Sequence, residues 1–154
     1  MAVAIVVLVA DQVTKALVVA NMPGRPDIDV LGEWLQVTYT RNPGAAFSLG
    51  GGLTVLLTCI ALAVVVFIFT MASRLGSFAW AVALGALLGG ALGNLGDRLF
   101  REPSPFRGYV VDWIQVPNYP VFNIADSAVV CGAIAMVYLS VRGRPMGGRT
   151  IVNQ

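Results

Sequence analysis

The residues that decide the fold are PVFNIADSAVVCGAIAMVYLS, positions 120–140. From Ile124 onward the run is apolar and close to the roughly 20 residues that a helix needs to cross a bilayer. Asp126 interrupts it in the first turns, beside Asn123 and Ser127. A carboxylate near the hydrocarbon core costs on the order of a few kcal/mol, so such residues are rare and carry function by default. The whole chain points to the same solvent. Of its 154 residues 57% are hydrophobic and 12% charged, with a mean hydropathy of +0.79, well above the roughly 45–50% apolar content of soluble domains.

Three more runs of this length occur, at 3–20, 53–72 and 78–95, besides the one at 124–141. The expectation is one integral membrane domain over residues 1–154, an all-α bundle of four transmembrane helices. Long segments at 21–52 and 96–123 alternate with a tight turn at 73–77, so both long segments fall on one side and the two ends and the turn on the other. Arg74, Arg142, Arg144 and Arg149 stand on the side of the ends, against Arg25, Arg41, Arg98, Arg101 and Arg107 on the other. The density of arginine per residue makes the first side cytoplasmic. The first run lacks a basic leader and a small-x-small cleavage site and contains Asp11 and Lys15, so it reads as a span that stays attached, not a secretory signal. Its abrupt beginning leaves Met1 open as the native start.

Within the long segments, EWLQVTYT (33–40) alternates Leu35, Val37 and Tyr39 with Gln36, Thr38 and Thr40, the period of a half-buried strand. GYVVDWIQV (108–116) is rich in β-branched and aromatic residues and is bounded by Gly108 and Pro117. A small extracytoplasmic β-sheet at the outer membrane surface is expected above the bundle. In the third span Gly85, Gly89 and Gly93 form a small-residue stripe that permits close helix approach. One further step of four reaches Asp97, and Asn94 and Arg98 line the adjoining face. The region 23–26 and the stretch SLGGG (48–52) read either as mobile gates or as plain turns.

Composition also excludes chemistry. There is no histidine, which removes Ser/His and Cys/His triads, HExxH zinc sites and the usual neutral-pH base. Cys59 and Cys131 lie in apolar runs without CxxC spacing and read as packing residues. A net charge of +2 with no basic run interleaved with aromatics argues against a nucleic-acid partner. No metal and no cofactor is expected, and partners belong to the membrane.

What remains is a set of polar residues near one boundary of the bilayer. Asp11 and Lys15 are four apart in the favourable order for a helical ion pair, and either neutralise each other or do more. Asp97 and Arg98 read as a tie from helix end to loop, or as part of a site. Asp112 and Asp126 have no adjacent basic residue, and each sits in an apolar stretch. Brought together in a low dielectric, two such carboxylates share a proton, one serving as base and the other as acid, and activate water without metal or histidine. The alternative is a helix cap and an unrelated loop acid.

In order and spacing, DQVTKALV (11–18), TRNPGAAFSL (40–49), GGALGNLGDRL (89–99), GYVVDWIQV (108–116) and VFNIADSAV (121–129) resemble lipoprotein signal peptidase, also called signal peptidase II. The resemblance covers nearly the whole chain. It implies a four-span aspartic endopeptidase of the bacterial inner membrane, with an outward-facing site under a β-cradle. Such an enzyme cleaves signal peptides from diacylglyceryl-modified prolipoproteins just before the lipidated cysteine, and is inhibited by the cyclic peptide globomycin. By the resemblance the catalytic pair is Asp112 and Asp126. Asp11, Lys15, Asn42, Gly44, Asn94, Asp97, Arg98, Asn123 and Ala125 match its other functional positions. Gly96 and Trp113 depart from the commoner residues of their blocks, which bears on substrate preference and not on the reacting groups.

Three rivals are weaker. A Ser/Lys dyad on Lys15 lacks SxxK spacing, and NLGD (94–97) has Asn94 where a GxGD protease needs glycine. A small proton-coupled transporter or channel would spread Asp11, Asp97 and Asp126 along a path, whereas they cluster at one boundary.

Overall fold

Inside hydrocarbon an isolated segment satisfies its backbone polar groups only as a helix, and each apolar run does so. The computed structural model describes residues 1–44 and 51–147. In it α1 spans Ala2–Asn21, α2 Gly51–Ala72, α3 Phe78–Phe100 and α4 Ile124–Val141, and all four are long and apolar enough to cross a membrane. Strands β1 (Ile28–Asp29), β2 (Gln36–Asn42) and β3 (Val110–Gln115) form an antiparallel sheet in the order β1-β2-β3. The fold class read from sequence is the one observed. Residues 48–50 of the SLGGG stretch, the end of the TRNPGAAFSL block and Arg149 lie outside the described residues.

Helix α3 is the axis, touching α1, α2 and α4. Ala4 of α1 and Val65 and Ile68 of α2 close on Leu84, Leu88, Ala91 and Leu95 of α3. Large apolar side chains on the outer faces, among them Val6, Leu17, Phe67 and Ile134, are exposed, as they should be where lipid covers them. The glycine stripe has a definite partner. A Cβ on Gly89 would stand 2.6 Å from the Ala4 carbonyl oxygen, and one on Gly93 2.5 Å from Asp11 Oδ2. The stripe therefore lets α1 lie directly on α3.

At the other end of α1, Val18 and Met22 bury with Val111 against Val37, Tyr39 and Trp113. The last turns of α1 thus run alongside the sheet instead of ending beneath it. The strict alternation expected of β2 is broken: a register irregularity falls between Val37 and Thr40, and Thr38 is buried together with the apolar side. β3 gains one further pairing at Phe122, whose N–H donates to Ile114 O (3.0 Å) and whose carbonyl accepts from Ile114 N (2.8 Å). That return of the chain delivers Asn123 beside Asp112. Far from the sheet, Gly76 N and Ser77 N donate to Met146 O at 3.0 and 3.1 Å, so the C-terminal segment docks on the α2–α3 turn. Cys59 and Cys131 are free thiols on the outer surface, not interior packing residues. At a lipid-facing position a small, weakly polar side chain fits as well as it does in a core.

Candidate active site

Asn123 followed by Asp126 has the spacing of a helix N-terminus, and the local structure obeys it. Asn123 Oδ1 accepts from Asp126 N (2.9 Å) and Asp126 Oδ2 accepts from Asn123 N (3.2 Å), a reciprocal capping box that satisfies two otherwise orphaned donors. Each side chain has a second end. Asn123 Nδ2 donates to Asp112 Oδ1 (2.6 Å), and Asp126 Oδ1 accepts from Asn94 Nδ2 (2.7 Å). A single asparagine, itself fully buried, therefore touches both carboxylates.

Asp112 stands opposite Thr40 in the β2–β3 ladder, and its Oδ2 accepts from Asn42 Nδ2 (2.8 Å), two residues along the same face of β2. Asn42 is aimed by a tight turn in which Gly44 N donates to Asn42 Oδ1 (2.8 Å); Gly44 has φ +94°, a conformation that suits only glycine. Asp112 is only 2% exposed. Burial pushes its carboxyl up to about 6, the bonds from Asn42 and Asn123 oppose that, and the charge of Asp126 adds to the upward push.

Below this pair lies a buried cationic hub. Lys15 Nζ is 2.9 Å from each of Asp11 Oδ2, Asp97 Oδ2 and Asn94 Oδ1, so its three N–H groups have three acceptors. Asp11 also accepts from Ala125 N (3.0 Å), and Asp97 from Val111 N (3.1 Å) and Arg101 Nε (2.6 Å). Asp11 and Lys15 do pair, but not with each other alone: the hub joins α1, α3, β3 and the first turn of α4. Asp97 and Arg98 both hold the end of α3 to the following segment, Asp97 through Val111 N and Arg98 through its carbonyl, which accepts from Gly108 N (3.0 Å), and among the described residues Asp97 makes no hydrogen bond to Arg98 itself. Arg98 is 9% exposed, lies in the field of Asp112 and Asp126, and its Nη1 is buried without a hydrogen-bond partner. Ala125, wholly buried, sits in the α3–α4 contact, its carbonyl backing onto Gly90.

The expected positions Asp11, Lys15, Asn42, Gly44, Asn94, Asp97, Arg98, Asp112, Asn123, Ala125 and Asp126 thus converge from three helices and two strands. Two participants were not foreseen. Arg101, one helical turn after Asp97, was legible from that spacing. Gln12, whose Nε2 donates to Gly93 O (3.0 Å) and lies 3.2 Å from Asp11 Oδ2, left no pattern to read. Beside Asp126 opens a largely apolar pocket of about 380 Å³ whose other walls are Val116, Tyr119, Phe122, Ser127, Val130 and Cys131. A carboxylate at one end of a largely apolar pocket, linked through Asn123 to a second carboxylate, can present a water to a peptide bond held there.

Known proteins share this arrangement of chain. The family model described as signal peptidase (SPase) II matches residues 3–142. A lipoprotein signal peptidase of Streptomyces griseus is 54% identical over 143 residues, 93% of this chain and 73% of that protein. One of Mycobacterium tuberculosis is 51% identical, with 93% and 71% covered. Two solved structures, each of a bacterial membrane enzyme, superpose with TM-scores of 0.81 and 0.80 at 27% and 29% identity; the first covers 98% of this chain and 92% of its own, the second 91% and 90%. With its four spans, its surface sheet and a match over nearly its whole length, the chain belongs to the signal peptidase II family.

Proposed function

We propose that this protein is an aspartic endopeptidase of the bacterial inner membrane that removes signal peptides from diacylglyceryl-modified prolipoproteins, cutting immediately before the lipidated cysteine. It works as a single membrane domain with both termini cytoplasmic and the sheet outside. The observation that carries this reading is the bridge made by Asn123 between Asp112 and Asp126, with Asp112 buried and raised to about 6.

In this mechanism the dyad holds one proton, on Asp112, and Asp126 takes a proton from water as the oxygen attacks the scissile carbonyl. Asp112 donates to the carbonyl oxygen in forming the tetrahedral species. The proton gathered by Asp126 then passes to the leaving amine as the C–N bond breaks, and one hydroxyl of the collapsing species returns its proton to Asp112, which restores the singly protonated dyad. Substrate covering the site desolvates Asp112 further and favours its protonated form. Asn94 and Asn123 orient the two carboxylates, Asn42 held by Gly44 orients Asp112, and the Lys15 hub with Asp11, Asp97 and the Ala125 amide fixes their supports. Arg98, with an unengaged buried Nη1, is suited to hold a substrate carbonyl or the polar part of the lipid. The acyl chains stay in the bilayer beside the apolar pocket, so that remote binding energy positions the cysteine. Globomycin, an amphipathic cyclic peptide, would compete for the same ground.

The test is a gel shift of a lipid-modified prolipoprotein with and without globomycin. Asp112→Asn and Asp126→Asn should each lower turnover by at least 10³-fold, within the range that loss of general acid–base catalysis gives, while remaining folded in detergent. Near wild-type turnover in either would refute the dyad.

A further inference from the structure

We infer that the pocket on the opposite face of the sheet binds the phosphate diester of a membrane phospholipid. Along β2 and β3 side chains alternate between faces. Asn42 and Asp112 take one face; Tyr39, Arg41 and Val111 take the other and line a separate pocket of about 270 Å³. This inference does not depend on the proposed protease chemistry. It depends on where the pocket lies and on what its walls offer.

The walls divide by polarity. Val19, in the last turns of α1, and Phe100, the last residue of α3, bring apolar surface from the ends of two spans. Phe100, at the end of its span, is exposed. Arg41 and Arg101 supply the polar wall. Arg101 uses Nε on Asp97, while Arg41 uses Nε on the Tyr39 hydroxyl (2.6 Å) and Nη1 on Glu102 (3.3 Å). Both terminal nitrogens of Arg101 and Nη2 of Arg41 thus make no hydrogen bond among the described residues. Tyr39, already accepting from Arg41, keeps its own proton to donate.

Two guanidinium groups with spare planar donors, lining a space with ample room for a phosphate diester, match a phosphate better than any neutral headgroup atom. Basic pockets between spanning helices on the cytoplasmic side recognise phospholipid headgroups by the same charge-assisted hydrogen bonds, and that chemistry does not depend on the leaflet. Glu102 is the opposing charge. It is 82% exposed, and its loose contact with Arg41 yields to an anion with more acceptor oxygens.

The experiment uses the full chain in detergent and native mass spectrometry, with dioleoylphosphatidylglycerol as probe. Saturable retention of one lipid is expected, weakened at least tenfold by Arg41→Gln and by Arg101→Gln, and tightened by Glu102→Gln. Arg41 is half-exposed and outside the buried hub, so its variant tests the idea even if Arg101→Gln fails to fold. Dioleoylglycerol, which has the same chains and no phosphate, should not be retained. Equal retention of dioleoylglycerol, or affinities within twofold of wild type in Arg41→Gln, would overturn the proposal. Millimolar inorganic phosphate displacing the lipid completely would assign the pocket to a water-borne anion instead, and would overturn the lipid assignment.

Discussion

Replacing Asp112 with Asn should exchange activity for stability, and pH should reveal the exchange. Burial raises this carboxyl from 3.8 to about 6 in the folded protein, a difference of roughly two pH units, worth about 3 kcal/mol at 1.36 kcal/mol per unit. Below pH 3.8 the carboxyl is protonated folded or unfolded and costs nothing. Between pH 3.8 and about 6 the unfolded chain gives up the proton while the folded one keeps it, so folding loses stability as pH rises; above about 6 the full penalty of roughly 3 kcal/mol applies. Asparagine carries no charge at any pH and escapes that penalty. It brings a different one, since its NH2 must face Asn42 Nδ2 or Asn123 Nδ2, both of which donate to Asp112. A donor against a donor costs about 1–3 kcal/mol, independently of pH. The stability of Asp112→Asn relative to wild type should therefore shift in favour of the variant by about 2.5 kcal/mol between pH 4, where a little of the penalty is already present, and pH 7.5. Unfolding in detergent at the two pH values measures it, because titrating groups that do not interact with Asp112 cancel in the difference. A difference that stays constant with pH would refute the reasoning that burial strains this carboxylate.

Two further substitutions probe what supports the pair. Lys15→Met should destabilise the protein by about 3–5 kcal/mol, since it leaves Asp11 and Asp97 as buried charges that have lost a shared cation; adding Asp11→Asn should recover part of that loss, and a double-mutant comparison of unfolding in detergent checks it. On α3, Gly93→Ala should cost about 1–3 kcal/mol because its Cβ would meet Asp11 Oδ2 at 2.5 Å and Ala125 Cβ at 3.2 Å. Gly96→Ala, whose nearest neighbour is Gln12 Nε2 at 3.9 Å, should instead gain roughly 0.5–1 kcal/mol of helix stability, and melting the two variants side by side separates close approach from mere flexibility.

Patterns local in sequence were legible before the fold. The four helices follow from apolar length, the second and third strands from alternation and β-branching, and the capping of α4 from Asn123 and Asp126 three apart. The proximity of Asp11 to Ala125, 114 residues away, was not. It depends on the glycines of α3 letting α1 approach, and a stripe of small residues does not name its partner. By helix rise alone Asp11 lies on the order of 14 Å below the end of α1. Yet the first turn of α4 meets Asp11, so the mouth of α4 is recessed to the same level while α1 runs on beside the sheet.

The sequence by itself determined the solvent, the number of spans, the absence of histidine chemistry and the residue types available for reaction, because composition and periodicity fix what each segment can bury. Only the tertiary structure decided how those residues are shared. Asp97 turns from adjacent Arg98 to Lys15 and Arg101, Lys15 divides itself among three acceptors, and Asn123 serves as helix cap and carboxylate bridge at once. The physical reason is that a buried polar group must find every partner it can within reach, and reach is a property of the packed helices and the sheet, not of spacing along the chain.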